Sequence, residues 1–187
     1  MRNVIYSMMV SLDGYVAAPD GSLDWVVIDE ELHTFVNDQQ RDIDIYLHGR
    51  GMYELLAAYW PTADADPDAP AYIVEFARIW RDMPKIVFSR TLQHVAWNAR
   101  LAQGSLANEI AALKAQPGKD VDLGGPALAA SAMKLGLIDE CRLFVNPVVL
   151  GAGIPLFPPL QRPLNFRLVE TRAFGSGVVY LHYRRAG

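Results

Sequence analysis

Cysteine is nearly absent, Cys141 being the only one in 187 residues. No intrachain disulfide can form and no thiolate-rich metal site can be assembled, which points to a reducing compartment. The four histidines, His33, His48, His94 and His182, lack metal-ligand spacing, and no acidic cluster follows a calcium-loop pattern, so no metal is expected. An excess of one charge is missing too. The 17 basic residues stand against 21 acidic ones, a net charge of −4, which gives no general attraction to nucleic acid or anionic lipid. Long apolar runs are also lacking. The stretch from Val4 to Val10 is too short for the core of a secretion signal, and nothing approaches a membrane span. The expectation is a cytoplasmic protein whose partners are small molecules, with neither nucleic acid nor membrane among them.

What is present is an ordinary globular composition, 51% hydrophobic and 20% charged, on a length that suits one domain over residues 1–187. Val4 to Val10 reads as a buried strand that ends near Ser11, before the Asp13-Gly14 turn. Asp29 caps a helix with Leu32, Phe35 and Val36 on one face, followed by a strand from Ile43 to Leu47. Ile73, Phe76, Ala77 and Trp80 recur at helical spacing ahead of the strand Lys85 to Phe88. Ser105 caps the next helix, which stops at Gln116-Pro117-Gly118 and leads into Val121-Asp122-Leu123; another helix then ends at Gly136. Arg142 to Val149, Phe166 to Thr171 and Val178 to Tyr183 read as strands, the last two forming a hairpin across Gly175-Ser176-Gly177. The segment from Pro61 to Pro70, with three Asp and three Pro, reads as an exposed loop. The pattern predicts a single-domain α/β fold with a mainly parallel central sheet, helices on both faces and an antiparallel C-terminal hairpin.

Three strand-to-helix junctions carry anion chemistry. Gly124-Gly125, followed by Pro126, places backbone N–H groups and a helix start at a sheet edge, although such a pair also serves as a plain turn. His48-Gly49-Arg50 and Ser89-Arg90-Thr91 each put an arginine at the carboxyl end of a strand, where open α/β sheets bind ligands. A guanidinium beside hydroxyls suits a phosphate monoester. Each arginine taken singly is equally a solvated surface residue. Asp13, in Ser11-Leu12-Asp13-Gly14-Tyr15, either orients a substrate or shapes the turn with Gly14. Asp29, Glu30 and Glu31 sit where a helix dipole favours carboxylates whatever their function. The Gly- and Pro-punctuated loop from Leu150 to Phe157 is suited to walling an apolar pocket.

In order and spacing these segments, with Asp24-Trp25, Tyr53-Glu54, Gly136-Leu137-Ile138-Asp139-Glu140 and Pro147 to Gly153, resemble the dihydrofolate reductase-like superfamily over nearly the whole chain. The likeness is greatest to the reductase domain of bifunctional riboflavin-biosynthesis proteins and its stand-alone bacterial relatives. The resemblance implies an NADP-dependent oxidoreductase that passes a hydride from NADPH to a small heterocyclic or carbonyl substrate, similar to the riboflavin-pathway reductase that acts on a phosphoribosylamino-uracil. It implies that Gly49, Arg50, Ser89, Arg90 and Thr91 hold the 2′-phosphate and diphosphate region of NADPH, and that Gly124, Gly125 and Pro126 hold the pyrophosphate. Met9, Val10, Leu150 and Gly151 are expected at the nicotinamide. Asp13 is expected to face the substrate as the catalytic group, with Gly14, Trp25, Tyr53 and Phe157 as further substrate contacts. Dihydrofolate reductases proper carry a buried carboxylate on the first helix and an arginine beyond the second. Here the carboxylates cluster at the helix start and no arginine lies between Pro61 and Pro70. A true dihydrofolate reductase and a dimeric nucleotide-binding module without turnover are the alternatives. The apolar C-terminal strands and the loop from Leu150 to Pro159 predict a homodimer.

Overall fold

The computed structural model describes residues 2–186. Its elements in chain order are β1 (Val4–Ser11), β2 (Tyr15–Ala17), α1 (Glu30–Gln39), β3 (Ile43–Gly49), α2 (Arg50–Ala57), α3 (Ala71–Asp82), β4 (Lys85–Phe88) and β5 (Ala99–Leu101). There follow α4 (Leu106–Lys114), β6 (Asp120–Gly124), α5 (Pro126–Lys134), β7 (Glu140–Asn146), β8 (Ile154–Pro155), β9 (Phe166–Ala173) and β10 (Val179–Arg185). The main sheet runs β5-β4-β3-β6-β1-β7-β10-β9. Every pairing in it is parallel except those of β10, which is antiparallel to both β7 and β9. The expected single α/β domain with its antiparallel hairpin is what the chain forms.

β1 lies near the centre, which explains its near-continuous apolar run: both of its faces are covered. Val4, Tyr6 and Val10 enter a core with Ile110, Leu128, Ala129 and Met133 of α4 and α5. Ile5 points the other way, into a core with Tyr53 of α2 and Trp80 of α3. Beside the latter, Leu32 of α1 packs with Phe144, Phe174 and Tyr180. The helix starts follow their capping chemistry. Asp29 accepts from the Leu32 amide at 2.8 Å and Ser105 from that of Asn108 at 3.2 Å, each satisfying an orphan donor of its first turn. Glu31 reaches across to Arg172 at 2.9 Å and to the Gly175 amide at 3.2 Å, tying α1 to the hairpin. The acidic helix start is thus accounted for by capping and by a link to the hairpin.

Several boundaries differ from the sequence expectation. β7 stops at Asn146 because Pro147 has no amide to donate to a ladder; the chain turns there, and the Val148 carbonyl accepts from Leu12 at 2.8 Å. The hairpin strands run on to Ala173 and Arg185, and β3 runs on to Gly49. The short elements β2, β5 and β8 carry too few residues for a periodic pattern to show, and α2 starts directly after Gly49 with no side-chain cap to announce it. The 61–70 segment is a loop as expected, closed by a bidentate pair between Arg81 and Asp64 at 2.7 and 2.6 Å.

Candidate active site

β4, β3 and β6 are neighbours in the sheet, so the three junctions that follow them stand side by side at its carboxyl edge. At the middle one Gly49 caps α2. At the β6 junction Gly125 has φ 98°, a conformation that penalises any side chain, and Pro126 opens α5. Gly124 is glycine for a different reason: a Cβ there would lie 3.0 Å from the His48 ring. At the β4 junction the Ser89 hydroxyl accepts from the amides of Thr91 (3.1 Å) and Leu92 (3.0 Å), and Thr91 Oγ1 accepts from Arg50 at 3.1 Å. Arg50 also approaches Glu54 at 3.7 Å. The exposed guanidinium of Arg90 has no ion-pair or hydrogen-bond partner among the described residues and is free to meet an anion.

These turns open on a cleft of about 880 Å³ that includes Gly49, Arg50, Phe88, Arg90, Gly125 and Pro126. An adjoining hollow of about 560 Å³ adds Ser89, Thr91 and Ser105. β2 and β8 pair with each other and form the far wall, where Val16, Ala17, Ile154 and Pro155 face the cleft. A second cavity, of about 490 Å³, lies between the sheet and α1, α2 and α3. It is mainly apolar, with Leu32, Val36, Leu56, Phe76 and Phe144 in its walls, but Tyr46, His48 and Asp122 give it a polar floor. The two spaces meet across Met8, Val16, Leu23, Met52 and Leu55, which line both.

The polar floor is the part that the sequence reading missed. Burial pushes the Asp122 carboxyl up to about 7, with the Arg142 guanidinium pulling the other way. Burial, and next the Lys85 charge, depress His48 to about 3, so its imidazole is neutral, and its Nδ1 is buried without a hydrogen-bond partner. The Tyr46 ring stacks on that of His48 at 5.3 Å, and its hydroxyl donates to Gln40 at 2.8 Å. A signal was available: β6 reads Asp120-Val121-Asp122-Leu123, and a second Asp inside a strand that sits between two others in a parallel sheet calls for a reason beyond simple alternation.

Other expected positions lie elsewhere. Asp13 lines neither space; its carboxylate accepts from Ser11 Oγ (2.7 Å), the Leu150 amide (3.1 Å) and the Gly151 amide (2.7 Å). The Ser11 hydrogen bond, followed by those from the two amides, holds it below the ordinary carboxylate range and therefore ionised. In this structure it pins the 150–151 loop, and the geometry lends no support to the catalytic expectation. Leu150 and Gly151 serve that contact and do not reach either space, and Gly14 accepts from the Leu156 amide at 2.9 Å. Tyr53 is buried, with its hydroxyl given to the Ala96 backbone, and Val10 is in the core. Trp25 donates to the Ser22 carbonyl at 3.2 Å, and Phe157 packs edge-on against Tyr6. None of these four lines either space. Met9 and Gly124 line the second cavity, not the cleft.

Sheet order, the antiparallel end and the row of glycine and arginine turns define a dihydrofolate reductase-like protein. The chain belongs to the RibD C-terminal domain family, whose model matches residues 2–180. It is 36% identical over 187 residues to the uncharacterized protein YyaP of Bacillus subtilis (strain 168), covering 100% of this chain and 96% of that one. Among solved structures it is similar to a putative riboflavin biosynthesis protein from Shewanella sp. PV-4, with a TM-score of 0.78, 26% identity and full coverage of both chains. A dihydrofolate reductase from Enterococcus faecalis shares the fold at a TM-score of 0.66 and 14% identity, over 99% of this chain and 97% of that one. The family is reductase-like.

Proposed function

We propose that the protein is an NADPH-dependent reductase of a small heterocyclic or carbonyl compound. One observation carries the reading: a cleft edged by phosphate-competent turns opens, across Met8, Val16, Leu23, Met52 and Leu55, into a second, mainly apolar cavity. The residues fit the cofactor. Gly125 and the α5 start offer unshielded amides to a pyrophosphate, and Arg90, Arg50, Ser89 and Thr91 offer a monoester site beside them. NADPH, when bound, supplies a hydride. The chain's own contribution is to hold the two reactants in contact where the spaces meet and to keep water out with apolar walls, effects that account for much of the catalysis in such transfers. Asp13 acts in this scheme as a positioning residue for the 150–151 loop.

NADPH is expected to raise the melting temperature more than NADH does at equal concentration, because only NADPH carries a phosphate monoester for Arg90. Arg90→Ala should weaken NADPH binding by roughly 1.5 to 3 kcal/mol, the scale of a charge-assisted hydrogen bond, and leave NADH binding unchanged. Calorimetric titration checks both, and equal losses for the two cofactors would remove the monoester assignment.

The same reading places the protein in the cytoplasm, in keeping with its one buried free thiol, Cys141; among the described residues no helix is long and apolar enough to cross a membrane. It also makes the protein a homodimer. Support comes from β9, an edge strand exposed along its length that displays Leu168 and Val169, and from the exposed side chains of Phe157 and Leu160 on the preceding loop. Light scattering at micromolar concentration should give a mass near twice the 20.8 kDa of the chain, and a monomer mass would overturn the assignment.

A further inference from the structure

We propose that Tyr53 is a positioning residue for the cofactor: its hydroxyl clasps the backbone of Ala96 and so fixes the loop that carries Arg90 and Thr91 against the helix that carries Arg50. The inference rests on the NADPH reading and deepens it, since it concerns how the monoester site is held together.

The loop from Ser89 to Asn98 contains neither helix nor strand. Its near end is shaped by Ser89, whose bonds to the Thr91 and Leu92 amides lie within the turn and do not tie it to another element. Its far end is anchored separately. Trp97 and Asn98 have positive φ values of 60° and 55°, a conformation that costs free energy in residues other than glycine. That pair is held by Lys85, whose ammonium donates to the Trp97 carbonyl at 2.9 Å, and by Asn98 itself, which donates to the Asp82 carbonyl at 2.6 Å. Between these ends, over residues 93–96, the only backbone hydrogen bonds among the described residues are the two made by Tyr53. Its hydroxyl accepts from the Ala96 amide at 2.8 Å and donates to the Ala96 carbonyl at 3.2 Å. One oxygen thus holds both polar groups of one residue, which fixes where that residue sits and how it is turned. The oxygen is fixed in its turn, because the Tyr53 ring is buried with Ile5, Trp80 and Val87.

Arg50 and Arg90 line the same cleft and the same hollow. Two guanidinium groups facing one space repel, and before an anion arrives that repulsion pushes the loop away from α2. Two hydrogen-bonded contacts oppose it. One is the Arg50 bond to Thr91 at 3.1 Å, which is exposed and uses the very guanidinium that the phosphate is to meet. The other is the Tyr53 clasp, which leaves both arginines free for the ligand. Tyr53 and Arg50 lie three residues apart on α2, on one side of the helix, so holding the loop to the first holds it at a set distance from the second. Leu92 and Val95 add apolar contact with the cluster around Tyr53, but such contact is not directional and does not orient the backbone. A loop already in its binding geometry leaves the ligand no ordering cost to meet. Without the clasp the competent geometry becomes a fraction of the population, and apparent affinity falls by that fraction.

The test is Tyr53→Phe in the full chain, which keeps the ring and removes the clasp. Ala96 is exposed, so water takes over its two backbone groups, and the melting temperature should fall by no more than about 4 °C. NADPH binding is expected to weaken about five- to tenfold, and NADH binding, which has no monoester to place, to change by less than about twofold. The double variant Tyr53→Phe/Arg90→Ala should bind NADPH no more weakly than Arg90→Ala alone, because the clasp acts through Arg90; a general loosening of the fold would add to the loss instead. Amide exchange over residues 90–96 should be faster in Tyr53→Phe than in the wild type, and NADPH, but not NADH, should slow it again. Unchanged NADPH affinity in Tyr53→Phe, an equal loss for both cofactors, additive losses in the double variant, or fast exchange that NADPH does not slow would each overturn the assignment and leave the NADPH reading in place. Failure of the wild-type protein to bind NADPH is the separate outcome that removes that reading, and this assignment with it.

Discussion

Asp122→Asn is expected to be more stable than the wild-type protein above pH 7 and no more stable near pH 4. The carboxyl titrates at about 7 in the folded chain against an ordinary value of 3.8. A raised folded value means that its contribution to stability is complete below 3.8 and is lost as the pH climbs through 7. By pH 8 the ionised group costs roughly 4 kcal/mol relative to the unfolded chain, since each unit is worth about 1.4 kcal/mol. Asparagine removes that cost. His48 acts in the opposite sense: its folded value of about 3 lies below the ordinary 6.5, so its contribution is complete above 6.5 and is lost as the pH falls toward 3. Between about 4 and 6.5 the two slopes oppose each other in the wild type. Urea unfolding from pH 4 to 8 should therefore show stability falling with acid in Asp122→Asn, and falling with alkali from pH 4 to 7 in His48→Gln. Curves that stay parallel across the range would show that neither group is buried as described.

Gly153→Ala should be the most damaging single methyl in the 150–153 loop. A Cβ at that position would lie 2.2 Å from the Ala17 carbonyl oxygen and 3.2 Å from the Tyr15 side chain. Both neighbours belong to β2, and Gly153 directly precedes β8, its partner strand, so neither side can give way without breaking the pairing of Ala17 with Ile154. These strands form one wall of the cleft in which the cofactor is proposed to bind. The expected result is a loss of roughly 2 to 4 kcal/mol, a fall of about 5 to 10 °C in melting temperature, and a loss of NADPH affinity of at least tenfold. Gly151→Ala provides the contrast: nothing lies within 4 Å of its Cβ, and only the φ of 76° is unfavourable, which costs about 1 kcal/mol. Calorimetry of the two variants side by side checks the difference. Equal, small effects would mean that β2 and β8 are free to part.

Much of the site was legible in local chemistry. Gly49-Arg50, Ser89-Arg90-Thr91 and Gly124-Gly125 each follow an apolar strand, and a parallel sheet brings the ends of such strands to one edge, so their convergence followed from the alternation of strands and helices. The contacts of Asp13 were not legible, because a carboxylate in an Asp-Gly turn has the same local sequence whether it faces a ligand or a loop. Its partners, the amides of Leu150 and Gly151, are 137 and 138 residues away, and nothing near Asp13 in the chain announces them. Tyr53 and Trp25 are a related case: each reads as a ring near the site, and each spends its polar atom on a backbone carbonyl.

By itself the sequence determined the elements and the edge. Apolar periodicity, caps at Asp29 and Ser105, and glycine at the turns are properties of neighbouring residues, and they specify where strands stop and which junctions can meet an anion. Only the tertiary structure decided which groups share a cavity. Asp122, His48 and Arg142 lie on three separate strands, and they come to one face because β3, β6, β1 and β7 stack in register with alternating side chains. The shift of the Asp122 carboxyl is decided at the same level, because it depends on how much water α1, α2 and α3 together exclude, a quantity that no single segment of the chain contains.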